Sequence, residues 1–260
     1  MSIPVPRGMV NFRDVGGLVA GHARRVRHGV LYRSESPQFL APEDADLLVD
    51  RLDLRTEIDL RRRGEAEREG RGPLADRPVR HLLFPLVPRP DRLVSRTDVP
   101  IAHHAEPIAA HYLGYLEVSP EAVAGAVRAL AEPGALPALV HCAAGKDRTG
   151  VVIAFALSVA GVADGDIAAE YAVGADGVAR VVERLRALAG YSTVIDNLPD
   201  EAHLTAPEYM QRFLDEVRAR FGSPREWLAR HGGVRETELE ALGEALTESA
   251  HEPAAGRLRS

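Results

Sequence analysis

Along the first 150 residues, short aliphatic and β-branched runs alternate with longer segments whose apolar positions recur at helical spacing. That alternation is the pattern of an α/β layer architecture, with helices covering a sheet. The runs GVLYRS (Gly29 to Ser34), TEIDL (Thr56 to Leu60), HLLFPL (His81 to Leu86) and ALVH (Ala138 to His141) read as strands. APEDADLLVDRL (Ala41 to Leu52) carries Pro and acidic residues in its first turn, and SPEAVAGAVRAL (Ser119 to Leu130) opens on Ser followed by Pro. Both are good helix starts.

After Gly150 the strand signal fades and helical patterns dominate to the end. GVVIAFALSVA is apolar almost all round, so it is expected to be a buried helix. Thr205 with Glu208 and Ser223 with Glu226 have the spacing of capping boxes, and Gly222 can end the helix before the second of them. The polar, Gly- and Pro-containing segments 62–78 and 88–104 read as surface loops, the second long enough to flank an active site. A single domain over residues 1–249 and a disordered tail over 250–260 are expected.

The formal charge of −6 over 260 residues gives no global reason to bind nucleic acid or an anionic membrane surface, so any anion binding must be local. One cysteine excludes an internal disulfide framework and a multi-cysteine metal site. The N-terminal MSIPVPRGMVNFRD lacks an apolar signal-peptide core, and no apolar run approaches the roughly 20 residues of a membrane span. No integral membrane contact is expected, and a cytoplasmic location is the default, although export without a signal peptide would leave no trace.

Against this arginine-rich background, HCAAGKDRTG (His141 to Gly150) holds the only cysteine and the only lysine. A strand ending at Cys142, a small-residue turn and a helix opening near Arg148 would gather backbone N–H groups and the positive end of a helix dipole around one point. Such a nest suits an anion. Ala143, Ala144 and Gly145 are too small to block it, and Gly145 can take a positive φ. Helix N-termini and nearby cations favour thiolate over thiol, which would present Cys142 as a nucleophile. Arg148 could clamp two phosphoryl oxygens, and Thr149 could donate its hydroxyl to the sulfur. The chemistry that follows is in-line attack on phosphorus, a cysteinyl-phosphate and its hydrolysis. A Walker-type loop fails on spacing, because its first Gly falls at Val140 and Asp147 stands where Ser or Thr should bind magnesium.

C-x5-R-[ST] preceded by His resembles the signature of cysteine-dependent protein-tyrosine phosphatases. With NFRDVGG (Asn11 to Gly17), LYRSE (Leu31 to Glu35) and IDLR (Ile58 to Arg61), the chain is similar to a bacterial tyrosine-phosphatase family. That family includes a secreted mycobacterial phosphatase acting on phosphotyrosine, phosphoserine/threonine and phosphoinositides. The resemblance implies a cysteine-dependent phosphatase fold: a four- or five-stranded, mainly parallel sheet flanked by helices. It also implies a helical lid, for which about 164–213 is the candidate, and neither metal nor other cofactor. The implied partners are a phosphorylated protein or a phosphoinositide as substrate and inorganic phosphate as product.

The general acid departs from the wider tyrosine-phosphatase pattern, since Trp227 is followed by Leu-Ala rather than Pro-Asp. Asp147 matches the aspartate the family places in the loop and ranks first, Asp59 at a strand end ranks second, and Asp91 and Asp98 in the long loop rank third. Asp59 is equally readable as a structural partner of Arg61 or Arg33. Lys146 is a candidate for a second phosphate on the substrate, or simply a source of positive potential. Asn11, Arg13 and Asp14 read as an anchor for the N-terminal segment, and His141 as a residue that orients the loop. His103, His104 and His111 lack the companion ligands of a metal site. A phosphate-dependent binding or redox-sensing domain with little turnover is the rival reading.

Overall fold

The computed structural model describes residues 4–21, 23–87, 105–188, 191 and 204–250. In chain order the elements are β1 (Arg13–Asp14), β2 (Val19–Ala20), β3 (Arg24–Val26), β4 (Leu31–Ser34), α1 (Pro42–Asp46), β5 (Thr56–Asp59), α2 (Arg63–Glu69), β6 (Arg80–Leu83), α3 (Ala105–Val118) and α4 (Pro120–Leu130). They continue with β7 (Ala138–His141), α5 (Asp147–Val159), α6 (Asp164–Ala172), α7 (Ala175–Arg186), α8 (Pro207–Phe221), α9 (Pro224–Arg230), α10 (Glu236–Leu246) and β8 (Thr247–Ser249).

The central sheet has five strands in the order β1-β4-β7-β5-β6, with β4, β7, β5 and β6 parallel and β1 antiparallel at the edge. Ser34 and Asp59 both pair with His141, so β4, β5 and β7 end at one edge. The residues that follow them are therefore delivered together, and this edge is where open α/β sheets place their ligands. Directly behind it α5 runs through the core with Val151 to Leu157 all buried, as its unbroken apolar pattern predicts. Phe155 stacks on Phe213 of α8 and meets Trp227 of α9 edge-on. The single tryptophan is thus a buried core residue, set edge-on against Phe155.

Several expectations need correction. Within 62–78, read as loop, α2 forms with the Arg62 N–H donating to Glu65 Oε2 at 2.7 Å, which satisfies one donor at the helix start, and with Glu65 buried. α3 was masked in the sequence by Pro107, which the first turn of a helix tolerates. The Ala41 to Leu52 helix divides, α1 passing into a π-helical turn over Leu47–Arg51. A second sheet, β2-β3-β8, was not expected because its strands are two or three residues long. Ser223 Oγ accepts from the Glu226 N–H at 3.1 Å, but Thr205 caps nothing, because α8 starts after Ala206. Ala250 donates its N–H to the Ala23 carbonyl at 2.8 Å, and the rest of the expected tail, like the loop 88–104, lies outside the described residues. Among the described residues no helix is long and apolar enough to cross a membrane.

Candidate active site

The strand β7 ends at His141 and the helix α5 begins at Asp147, so residues 142–146 form the loop between them. The carbonyl oxygens of residues 142–145 each meet a partner outside the loop, while that of Lys146 accepts from the Gly150 N–H at 2.7 Å as the first bond of the helix. His141 Nδ1 lies 3.2 Å from the Cys142 carbonyl oxygen, Ser36 N–H donates to Ala143 O at 3.1 Å, Asn11 Nδ2 to Ala144 O at 2.9 Å and Arg33 Nη2 to Gly145 O at 2.8 Å. In a trans peptide the N–H points opposite the carbonyl, so anchoring these oxygens outside aims the N–H groups of Ala143, Ala144, Gly145 and Lys146 inward. No hydrogen bond from the backbone N–H of Ala143, Ala144 or Gly145 is found among the described residues. Gly145 is obligatory here. Its φ is +69°, and a Cβ would lie 2.3 Å from the Ser34 carbonyl oxygen.

Cys142 stands at the head of this cradle as a free thiol, 2 % exposed. Arg148 is the second residue of α5, and its Nη1 donates to Glu65 Oε2 at 2.7 Å. Burial opposes the charge on Arg148, but Cys142 and Glu65 outweigh it and raise its pKa well above the usual value. The sulfur, the guanidinium and the Glu65 carboxylate therefore form one electrostatic unit. Burial likewise works against an ionised Glu65, yet Arg148 and then Arg62 hold its pKa down to about 2.

Asp147 accepts from Tyr112 Oη at 2.7 Å and pairs with Lys146 Nζ at 3.1 Å, and its side chain remains 32 % exposed. Tyr112 Oη in turn sits 2.7 Å from Tyr171 Oη. Burial tends to raise the Asp147 pKa, but Lys146, His111 and the Tyr112 hydroxyl together bring it below the ordinary carboxylate value. Asp147 rests as a carboxylate beside the cradle. Lys146 is 3 % exposed. Its ammonium is folded against Asp147, where it adds positive potential beside the cradle. Thr149 Oγ1 is buried without a hydrogen-bond partner, so the hydroxyl-to-sulfur bond expected of it is not made.

Asp59 is corrected more firmly. It is fully buried and bonded to Arg61, whose Nη2 lies 2.6 Å from Asp59 Oδ2 and whose Nε lies 2.9 Å from Oδ1. Burial favours its protonation, but His141, His81 and Arg61 prevail and hold it strongly ionised. A carboxylate so enclosed cannot pass a proton to a substrate; it is the structural partner of Arg61. Glu57, Asp59 and His141 are the one group of three potential metal ligands found among the described residues, but Arg71 engages Glu57 at 2.7 Å and Arg61 engages Asp59. Asp91, Asp98, His103 and His104 lie outside the described residues.

The segment expected to be a lid supplies α6, α7 and the start of α8. Val181 and Leu185 of α7 share a buried apolar cluster with Ala143 of the loop and with Tyr191. Glu65, Tyr112, Tyr171 and Glu170 are site residues the sequence reading missed.

A family model described as "Tyrosine phosphatase family" matches residues 5–248. A candidate tyrosine-protein phosphatase of Cupriavidus necator is 34% identical over 167 residues, covering 62% of this chain and 59% of that protein, less than two thirds of the relative's length. Among solved structures, the core catalytic domain of the PP-IP phosphatase SIW14 from S. cerevisiae, in complex with citrate, aligns with a TM-score of 0.37 and 20% identity over 78% of this chain and 91% of that one. A Siw14 catalytic core aligns with a TM-score of 0.39 and 19% identity over 67% of this chain and 79% of its own.

Proposed function

From the premise that the chain belongs to the tyrosine phosphatase family, matched over residues 5–248, we propose that it is a cysteine-dependent phosphoric monoester hydrolase that works through a cysteinyl-phosphate. The observation that carries this reading is the loop after Cys142, in which the carbonyls of residues 142–145 are bonded outward and so aim the N–H groups of residues 143–146 to the end of α5. A phosphoryl group seated there would have its oxygens met by amides and by Arg148. The Cys142 sulfur forms the new bond to phosphorus, and the ester P–O bond breaks with its electron pair on the leaving oxygen. That oxygen takes the proton of Asp147. In the second step water attacks phosphorus, the S–P bond breaks, and Asp147 receives the proton of the water as orthophosphate forms.

The ionised resting state of Asp147 suits the second step directly. For the first step the carboxyl must be protonated, and the approach of a phosphate dianion favours that form, since a like charge raises a carboxyl pKa. The same tension favours aryl over alkyl esters. A phenol leaves near its pKa of about 10, whereas an alkoxide needs full protonation. Phosphotyrosine is accordingly the substrate class proposed, with phosphoserine/threonine and phosphoinositides as slower substrates.

The ionised Asp147 is also what favours the rival reading, a phosphate-binding or redox-sensing domain with little turnover. Rapid-quench kinetics with an aryl phosphate separates the two. Steady release of phosphate by the wild type, abolished in Cys142→Ser, supports the enzyme. A stoichiometric burst leaving phosphocysteine without turnover supports the binder, and full activity in Cys142→Ser removes both.

A further inference from the structure

One carboxylate is linked through side chains to two peptides of the cradle. Glu170, on α6, is buried and accepts from Arg33 Nη1 at 2.6 Å and from Arg13 Nε at 2.8 Å. Arg33 passes the contact on through Nη2 to the Gly145 carbonyl at 2.8 Å. Arg13 passes it on through Nη1 to Asn11 Oδ1 at 2.7 Å, and Asn11 Nδ2 reaches the Ala144 carbonyl at 2.9 Å. The two relays end on consecutive peptide groups, whose opposite ends are the N–H groups of Gly145 and Lys146. We infer that Glu170 is a positioning residue for the phosphate cradle, aiming those two amides through Arg33 and through the Arg13–Asn11 pair, so that the seating of α6 sets how tightly an oxyanion is held.

Three further observations support this. Arg13 and Arg33 are close enough to repel: burial and then Arg33 lower the Arg13 pKa to about 10, and Glu170 is the charge that opposes the shift most. Burial disfavours the Glu170 carboxylate as well, but Arg33 and Arg13 keep it ionised below its ordinary value. Without that shared carboxylate the two guanidinia would separate, and a buried charge left unpaired finds other partners. Finally, the turn from α6 to α7 is built around the relay. A Cβ on Gly174 would lie 2.4 Å from Asn11 Oδ1 and 2.6 Å from Arg13 Nη1, so the helix end can sit this close only because no side chain is there.

The inference rests on the proposed phosphatase reading, and the test separates the two. Glu170→Gln is compared with the wild type by kcat and KM on an aryl phosphate, by inhibition with orthovanadate and by thermal unfolding. Because losing one oxyanion donor outright costs about 10²–10³ in kcat, misaiming two should weaken orthovanadate inhibition about tenfold and lower kcat by a similar factor. KM should move less. Gly174→Ala pushes the Asn11 and Arg13 side chains without removing a charge and should change the same quantities in the same direction; it decides the matter if Glu170→Gln does not fold. A folded variant whose orthovanadate inhibition and kcat stay within about threefold of the wild type overturns the positioning role, as does a loss of kcat with orthovanadate inhibition intact. A wild type that neither turns over nor binds orthovanadate overturns the phosphatase reading itself.

Discussion

Arg148 and Glu65 are 83 positions apart in sequence and joined at 2.7 Å, Nη1 to Oε2, with the arginine side chain 14 % exposed. The pair fixes the guanidinium at the mouth of the cradle before any ligand arrives. A long, flexible arginine free to rotate would have to be ordered by each substrate in turn. Glu65→Gln keeps the shape and removes the charge that holds Arg148. It is expected to lower kcat/KM for an aryl phosphate about 10-fold or more, since orientation by a few tenths of an ångström matters to oxyanion stabilisation. Steady-state kinetics reads this, and an unchanged rate would mean that Arg148 is aimed from elsewhere.

The same carboxylate makes stability depend on pH. Its folded pKa of about 2 lies below the unfolded value of 4.5, so its contribution is fully present above 4.5 and is lost as pH falls towards 2. At neutral pH the contribution is on the order of 3 kcal/mol. Thermal unfolding followed from pH 7 downward should show Glu65→Gln and wild type drawing together as the pH falls through this window. Parallel curves would contradict the pairing.

Removal of the Asp147 carboxyl tests its part in proton transfer. Asp147→Asn should reduce kcat/KM, which reports formation of the cysteinyl-phosphate, little for an activated aryl phosphate and by about 10²-fold or more for phenyl phosphate or an alkyl phosphate, the scale of general acid catalysis. A loss independent of the leaving group would assign the proton to another residue.

Asp59→Asn addresses a different property. Arg61 is fully buried, and Asp59 is its nearest carboxylate at 2.6 Å; breaking such a pair costs about 3–5 kcal/mol. The thermal midpoint should fall sharply while the dependence of rate on leaving group stays as in the wild type. A changed dependence with an unchanged midpoint would restore Asp59 as a proton donor.

What the sequence made legible was contiguous. The β7 strand, with its bounds Ala138–His141, the turn and the buried helix behind it come from one stretch of chain whose local pattern and hydrogen-bonding needs agree. What stayed hidden depends on distant segments meeting. Glu170 touches Arg33 across 137 residues and Tyr112 touches Asp147 across 35, and nothing in the local pattern of α3 or α6 marks either residue as a site member. Arg62 to Glu69, rich in charge, looks like solvated loop until burial of Glu65 against Arg148 gives one face of it a purpose. Asp59 illustrates the converse: a carboxylate at the right edge of the sheet was readable as proton donor or as partner of Arg61, because local pattern does not say that Arg61, two residues on, folds back over it.

The outward-turned carbonyls of residues 142–145 carry one more implication for the proposed reaction. A ring of amides made ready in advance cannot distinguish the ester that arrives from the orthophosphate that departs, because both offer the same tetrahedron of oxygens. Feedback from the reaction's own product is then inherent to this architecture, and ambient inorganic phosphate becomes a brake on the enzyme with no separate regulatory site.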